Sequence, residues 1–332
     1  MIWVIMVLFA LILGAVLWLG LLRPKPDFIA TEPNISIKDP KSLKDWISQR
    51  ESACSDLKRG TEAEVVLHNP EAPTRTPWAI VFVHGFSGSR QELFPLPENL
   101  AASLGANLYS ARLSGHGHQP DRLHEATLSQ WMTDVREAFA IGRLLGERVL
   151  LLGNSTGATL SMLGILRFPQ AEHPDALVML SPNHAPSHRW AHLLQCPGAR
   201  WWVPLVVGKY RYWTPTNPEH AHYWSHPYRT TALFPMSEAV QCLAREKLTR
   251  ITIPTLVLYS PEDRVVRPDM MEEGFAQLGA SRKQMLVVDG VEDPRHHILA
   301  GNILSPGTTD SIGSTIRTFL AQEAPREDLR LP

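Results

Sequence analysis

The chain has 332 residues, 44% hydrophobic and 20% charged, which is ordinary globular composition and excludes a disordered, collagen-like or coiled-coil protein. Lysine and arginine number 32 against 33 acidic residues, so no electrostatic footprint for nucleic acid exists. Three cysteines (Cys54, Cys196, Cys242) are too few for a disulfide scaffold, have no zinc-ribbon spacing, and by their odd number fit a reducing compartment.

The chain opens on Ile2 to Leu22, 21 residues without a charged or polar side chain. At about 1.5 Å per residue, such a helix crosses a hydrocarbon core of roughly 30 Å. Trp3 and Trp18 stand near its ends, where aromatic rings favour the interface. No Lys or Arg precedes the run, and its exit, Leu19-Gly20-Leu21-Leu22-Arg23-Pro24, offers no small-x-small cleavage site. Residues 1–23 therefore read as an uncleaved single-pass anchor rather than a signal peptide. Arg23, Lys25, Lys38, Lys41 and Lys44 follow it, and the positive-inside rule places the remainder in the cytoplasm.

Residues 24–60 read as a linker with four prolines, then a short helix over Lys41–Gly60 closed by Gly60. From 61 to 182 strands alternate with helices. Strands are expected at Glu62–His68, Ala79–Val83, Ala106–Leu113, Arg148–Leu152 and Ala176–Leu180. Trp131, Val135, Ala138, Phe139 and Leu145 give helical spacing over Thr127–Gly146, and Ala158–Phe168 is helix-compatible. Residues 183–250 break the rhythm and hold five of the ten tryptophans, which suggests a cap over the sheet edge. The alternation resumes over 251–322, with strands at Thr255–Tyr259 and Gln284–Val288 and a last helix at Thr308–Ala321; 323–332 is a tail. Runs of Val, Ile and Leu without alternation suit parallel strands covered on both faces.

Gly153-Asn154-Ser155-Thr156-Gly157 falls between a strand and a helix. There the glycines permit a tight turn that lifts Ser155 Oγ above the sheet, with helix N–H groups aimed at the same point. A serine hydroxyl needs a base, and the base needs an orienting carboxylate. Asp263 follows the strand Thr255–Tyr259, with Glu262 as fallback; His296 and His297 follow the strand Gln284–Val288. Oxyanion donors are expected at the Thr156 N–H, next to the nucleophile, and at the Phe86 N–H in His84-Gly85-Phe86. His84 suits a packing role under that loop, and His116 and His118 suit loop positions near the pocket.

The cap holds six histidines, of which His184, His188 and His192 recur every four residues. On a helix they would share a face, but Pro186 interrupts them and no Cys or carboxylate completes a tetrahedral set, so no metal or cofactor is expected. The cap tryptophans suit a small core, an acyl pocket or a bilayer interface equally.

Taken together, Val83-His84-Gly85-Phe86, Arg112-Leu-Ser-Gly-His-Gly117, Gly153-Asn-Ser-Thr-Gly157, Ser260-Pro-Glu-Asp263 and His297-Ile-Leu-Ala300 resemble the α/β-hydrolase superfamily. The resemblance spans roughly residues 62–322 and lies in the branch of monoacylglycerol lipases, carboxylesterases and serine aminopeptidase-like hydrolases. It implies a mostly parallel sheet with helices on both faces, a cap inserted after the sixth strand, and a Ser155–His–Asp263 triad. A His followed by an apolar pair favours His297 as base over His296. Asn154 departs from the His or other bulky residue common at that position. The expected activity is hydrolysis of small-molecule carboxylic esters with an acyl or apolar part, by a membrane-anchored enzyme. Amide or thioester hydrolysis is the nearby alternative, though an aminopeptidase needs an acidic group in the cap, where Glu219, Glu238 and Glu246 are few. A non-catalytic membrane-tethered binding protein is the alternative of another class.

Overall fold

Apolar strand runs flanked by amphipathic helices build a seven-stranded sheet in the computed structural model, which describes residues 2–21, 26–118 and 120–322. The chain begins with helix α1 (Ile2–Leu21) and helix α2 (Pro40–Ser52). Strands β1 (Glu64–Val66) and β2 (Thr76–Val83), helix α3 (Leu96–Leu104), strand β3 (Asn107–Ser110), helix α4 (Leu128–Leu145), strand β4 (Gly146–Asn154), helix α5 (Thr156–Arg167) and strand β5 (Ala176–Leu180) follow. After the cap come β8 (Thr255–Tyr259), α9 (Pro268–Gln277), β9 (Lys283–Val287) and α10 (Thr309–Ala321). The cap itself holds α6 (Ala199–Val207), the two-residue strands β6 (Tyr210–Arg211) and β7 (Tyr228–Arg229), α7 (Pro218–Tyr223) and α8 (Leu233–Leu243).

The sheet order is β1-β3-β2-β4-β5-β8-β9, with β1 antiparallel to β3 and every other pairing parallel. Side chains alternate across it with the period of a pleated strand. Val81, Leu151, Met179 and Val257 face one way, into a core shared with α2, α4, α5 and α8. Ile80, Leu150, Val178 and Leu256 face the other, against α3 and α10. Both faces are covered, which is why the strands carry unbroken apolar runs; each fully buried Leu or Ile contributes about 1.5–3 kcal/mol. The expected α/β-hydrolase architecture is present.

Helix ends follow their local chemistry. Thr127 caps α4 with a reciprocal box to Gln130, and Asp39 accepts from the Ser42 N–H at 2.9 Å to start α2. Three sequence expectations are corrected. The helix expected over Lys41–Gly60 stops at Ser52, and Gly60 (φ +89°) instead closes a separate turn tied by Lys58 N–H to the Gly117 carbonyl at 2.8 Å. The cap follows the fifth strand in chain order, not the sixth, because a single antiparallel strand, β1, precedes β2. The first strand pairs over three residues only, since it is an edge strand held by β3 alone.

Along α1, side chains are described at positions 2–7, 9–11, 13 and 14, and among the described residues no helix is long and apolar enough to cross a membrane. The fold thus does not establish the expected anchor. Residues 1, 22 and 23 of that segment, with Arg23 and Lys25, lie outside the described residues, as does the tail 323–332.

Candidate active site

β4 ends at Asn154 and α5 begins at Thr156, so Ser155 alone makes the turn between them, at φ 51° and ψ −117°. A non-glycine residue at positive φ is strained, and the surroundings hold it there. Ser155 N–H donates to the Leu180 carbonyl at 2.9 Å, and the Ser155 carbonyl accepts from Ala158, Thr159 and Asn183 at 3.1–3.2 Å. Two glycines make room for the turn. A Cβ at Gly157 would fall inside the carbonyl oxygens of Val83 and His84, and one at Gly153 would lie 2.7 Å from Ala158 Cα.

The tertiary fold brings the three distant residues of the expected triad together. Ser155 Oγ–H donates to His297 Nε2 at 2.9 Å, and His297 Nδ1–H donates to Asp263 Oδ2 at 2.7 Å. All three are buried. The other oxygen of Asp263 accepts from the Val265 and Val266 N–H groups at 2.8 and 3.0 Å, which fixes the carboxylate. Burial disfavours the charged form of His297, but the Asp263 charge and hydrogen bond outweigh it, and Asp293 and Glu92 add to them, so its pKa stands above the ordinary value. His296, at φ 53°, sits 3.7 Å from Glu262, and of the two histidines it is His297 whose ring reaches Ser155 Oγ.

The loop after β2 carries the second group. Among the described residues, neither the Phe86 nor the Thr156 N–H finds a protein acceptor. His84 and His116 brace this loop as neutral imidazoles: His84 Nε2 accepts from Leu113 N–H and His116 Nε2 accepts from Ser87 N–H, each at 3.1 Å. Burial drives both pKa values down, that of His84 to about 4. The ring of Phe86 packs edge-on against Tyr228 at 5.3 Å. His118 lies farther out, between Asp56 and Arg112.

Two carboxylates escaped the sequence reading. Asp293 is buried and accepts from the N–H groups of Arg295, His297 and Ile298 at 2.9–3.1 Å, which shapes the loop presenting His297. The turn pattern Glu292-Asp293-Pro294 ahead of the histidines was its available signal. Glu92, 1% exposed, accepts from Gly85 N–H at 2.5 Å and from Asn154 Nδ2–H at 2.9 Å through the same oxygen. It therefore ties the loop holding Phe86 to the residue before Ser155. Burial pushes its carboxyl up to about 7, against the opposing pull of Asn154, Gly85 and His297. Asn154, the departure noted in the sequence, is the partner this carboxyl requires.

A cavity of about 260 Å³ opens above Ser155. Phe86, Trp213, Trp224, Tyr228, Met236 and Val266 supply apolar lining, and Thr216, His220 and Arg295 a polar side. The cap tryptophans thus divide: Trp213 and Trp224 line the cavity, Trp202 packs on the small cap core of Ala199, Val203 and Phe234, and Trp190 and Trp201 are exposed. His184, His188 and His192 do not share a helix, because Pro186 pairs in a bridge with Val266 and diverts the chain. Among the described residues, no group of three or more His, Cys, Asp or Glu is placed to hold a metal ion.

Residues 74–300 match the family described as serine aminopeptidase, S33. The chain is 23% identical over 212 residues to the thermostable monoacylglycerol lipase of Bacillus sp. (strain H-257), covering 63% of this chain and 80% of that protein. Two solved structures share the fold. One, described under two metagenome-derived lipolytic enzymes, LipS and LipT, has a TM-score of 0.65 at 19% identity, over 80% of this chain and 99% of that one. The other, a soluble variant of monoglyceride lipase from Saccharomyces cerevisiae with a substrate analog, has a TM-score of 0.60 at 12% identity, over 80% and 92%.

Proposed function

Because the chain belongs to the serine aminopeptidase S33 family of α/β-hydrolases, we propose that it is a carboxylic ester hydrolase acting on monoacylglycerol-like lipid esters. The observation that carries this reading is the continuous Ser155–His297–Asp263 relay beneath an apolar-lined cavity. Ser155 Oγ attacks the ester carbonyl as its proton passes to His297 Nε2. Asp263 holds the imidazole in the required tautomer and stabilises the imidazolium. The Phe86 and Thr156 N–H groups, which have no acceptor among the described residues, meet the oxyanion. Collapse expels the alcohol, which takes the proton from His297. Water then repeats the cycle on the acyl-enzyme and releases the carboxylate. These steps need neither metal nor cofactor.

An ester is favoured over a peptide amine by the state of the carboxylates. The acids at the cavity, Glu92 and Asp293, are held by backbone N–H groups, and in the cap Glu238 pairs with Arg200 and Glu246 with Arg167. The similar proteins point the same way, to monoacylglycerol and to lipolysis. The cavity, near the lower end of small-molecule sites, suits a single acyl chain rather than a bulky lipid.

Membrane anchoring by residues 1–23, with the hydrolase on the cytoplasmic side, is part of the proposal. It is supported by the uninterrupted apolar sequence of residues 2–22 and by the basic residues that follow it. The test sets wild type beside Ser155→Ala on a monoacylglycerol and on p-nitrophenyl esters, with fluorophosphonate labelling alongside. Loss of turnover and of labelling in the variant is expected. A folded wild type that neither turns over any ester nor labels would favour a binding protein. Release of the wild type from membranes by alkaline carbonate would refute the anchor and leave the chemistry standing.

A further inference from the structure

The cap has a face that the hydrolytic chemistry does not use. From Ala176 to Pro218 the sequence contains no acidic residue, while Arg189, Arg200, Lys209 and Arg211 fall within it. In the middle of this stretch α6 buries Ala199 and Val203 against Phe234 and turns its other side outward. Trp201 is 84% exposed, Leu205 85% and Val206 71%, and Tyr212 just beyond is 73% exposed. Three large apolar side chains exposed on one short helix, Trp201, Leu205 and Val206, with Arg200 on the same helix and Lys209 just after it, have the composition of a helix lying in a bilayer interface. Two acids stand on this side: Glu238, paired with Arg200 at 2.8 Å, and Asp27, 3.7 Å from Arg167.

The course of the chain adds an independent constraint. Pro26 and Asp27 line the same crevice as Gly198, Trp201 and Phe234, and Cys242 Sγ–H donates to the Pro26 carbonyl at 3.2 Å. Five peptide links join Pro26 to Leu21, the last residue of α1, so the two are at most about 18 Å apart. One residue beyond Tyr212, Trp213 turns into the cavity above Ser155, so the chain that leaves α6 reaches the rim of the site within six residues of Val207.

The geometry points to a phospholipid bilayer with anionic headgroups as the partner of this face: Trp201, Leu205 and Val206 insert, while Arg189 and Lys209 meet the headgroups. The nearness of α1 bears on this only if α1 is an anchor, as proposed above; the exposed stripe and its charges do not depend on that. Docking here would bring the cavity rim to the surface from which a lipid ester must leave.

The experiment uses the full chain with vesicles of phosphatidylcholine, with and without phosphatidylglycerol. Trp201→Glu/Leu205→Glu is compared with wild type on a vesicle-borne monoacylglycerol and on a water-soluble short-chain p-nitrophenyl ester. A loss on the order of tenfold or more is expected on vesicles, with the soluble ester rate unchanged. Arg189→Gln/Lys209→Gln should lose rate on the anionic vesicles only, in a salt-dependent way. Equal vesicle rates for wild type and the Glu variant would overturn the inference while leaving the hydrolase reading intact. Quenching of tryptophan emission by brominated acyl chains, wild type against Trp201→Phe, reads docking without catalysis. A quenched component lost in the variant supports docking; identical quenching overturns it. Lipid-independent self-association that Trp201→Glu abolishes would assign the face to a second copy instead.

Discussion

Glu92→Gln separates the structural use of this carboxyl from its charge. Gln keeps an oxygen to accept from Gly85 N–H and Asn154 Nδ2–H, so the link between the two loops survives. What it removes is the ionisation of a fully buried group. Carried from 4.5 up to about 7, ionisation of Glu92 in the fold is opposed by on the order of 3 kcal/mol, at about 1.36 kcal/mol per pKa unit. The sign follows from proton binding. Between pH 4.5 and 7 the unfolded chain has released the proton and the folded chain still holds it, so stability falls as pH rises through that window and levels off above it. Wild type should therefore lose on the order of 3 kcal/mol through this group between about pH 4.5 and 7, and Glu92→Gln should not. Thermal or denaturant melts of both proteins across pH 4.5 to 8.5 measure it, as a difference that grows with pH and then plateaus. The same substitution removes a charge that raises the His297 pKa, so the acidic limb of the pH–rate profile should move to lower pH in the variant. Parallel stability curves for the two proteins, with an unmoved acidic limb, would refute the assignment of a strained ionisation at Glu92.

The neighbouring histidines should separate cleanly: His297→Ala loses on the order of 10⁴ in turnover or more, whereas His296→Ala stays within about threefold, both read as kcat on a p-nitrophenyl ester. Asp263→Asn should cost on the order of 10⁴ in kcat with the fold intact by circular dichroism, because His297 then loses its tautomer control. Gly157→Ala should fail to accumulate as soluble protein or should lose fluorophosphonate labelling, since the new methyl group meets the Val83 and His84 carbonyls that fix the turn at Ser155. Trp131→Ala should destabilise by about 3–5 kcal/mol in denaturant melts, because its fully buried indole packs by Phe86 and His116 and donates to the Ser114 carbonyl.

Much of the catalytic arrangement could be read from local sequence. The strands Ala176–Leu180 and Thr255–Tyr259 have the bounds their apolar runs suggested, because strands covered on both faces need apolar side chains at every position. Ser155 could be placed because a nucleophile at a strand-to-helix turn requires small residues on either side, and Gly153 and Gly157 stand there. Asp263 and the histidine pair could be placed because each follows an apolar strand in the order the resemblance implies. Strand ends were less legible: Arg148–Leu152 extends to Gly146–Asn154, since ladder hydrogen bonds to β2 carry pairing beyond the apolar residues.

The sequence by itself determined the apolar runs, the turn at Ser155, the order of serine, acid and histidine, and the 21-residue apolar start of the chain. The runs, the turn and the apolar start depend on residues within a few positions of one another, and the order is read directly along the chain. Only the tertiary structure decided which histidine reaches Ser155, because that depends on the loop shaped by Asp293 and on the Ser181 hydroxyl, which donates to the His297 carbonyl at 2.7 Å. Only it gave Glu92 a role, since an acid after a serine cap reads locally as the end of a short turn, while its partner Asn154 lies 62 residues away. It also divided the cap tryptophans between cavity, core and surface. Burial is set by what packs against a side chain, and those neighbours come from segments that the local pattern cannot bring together.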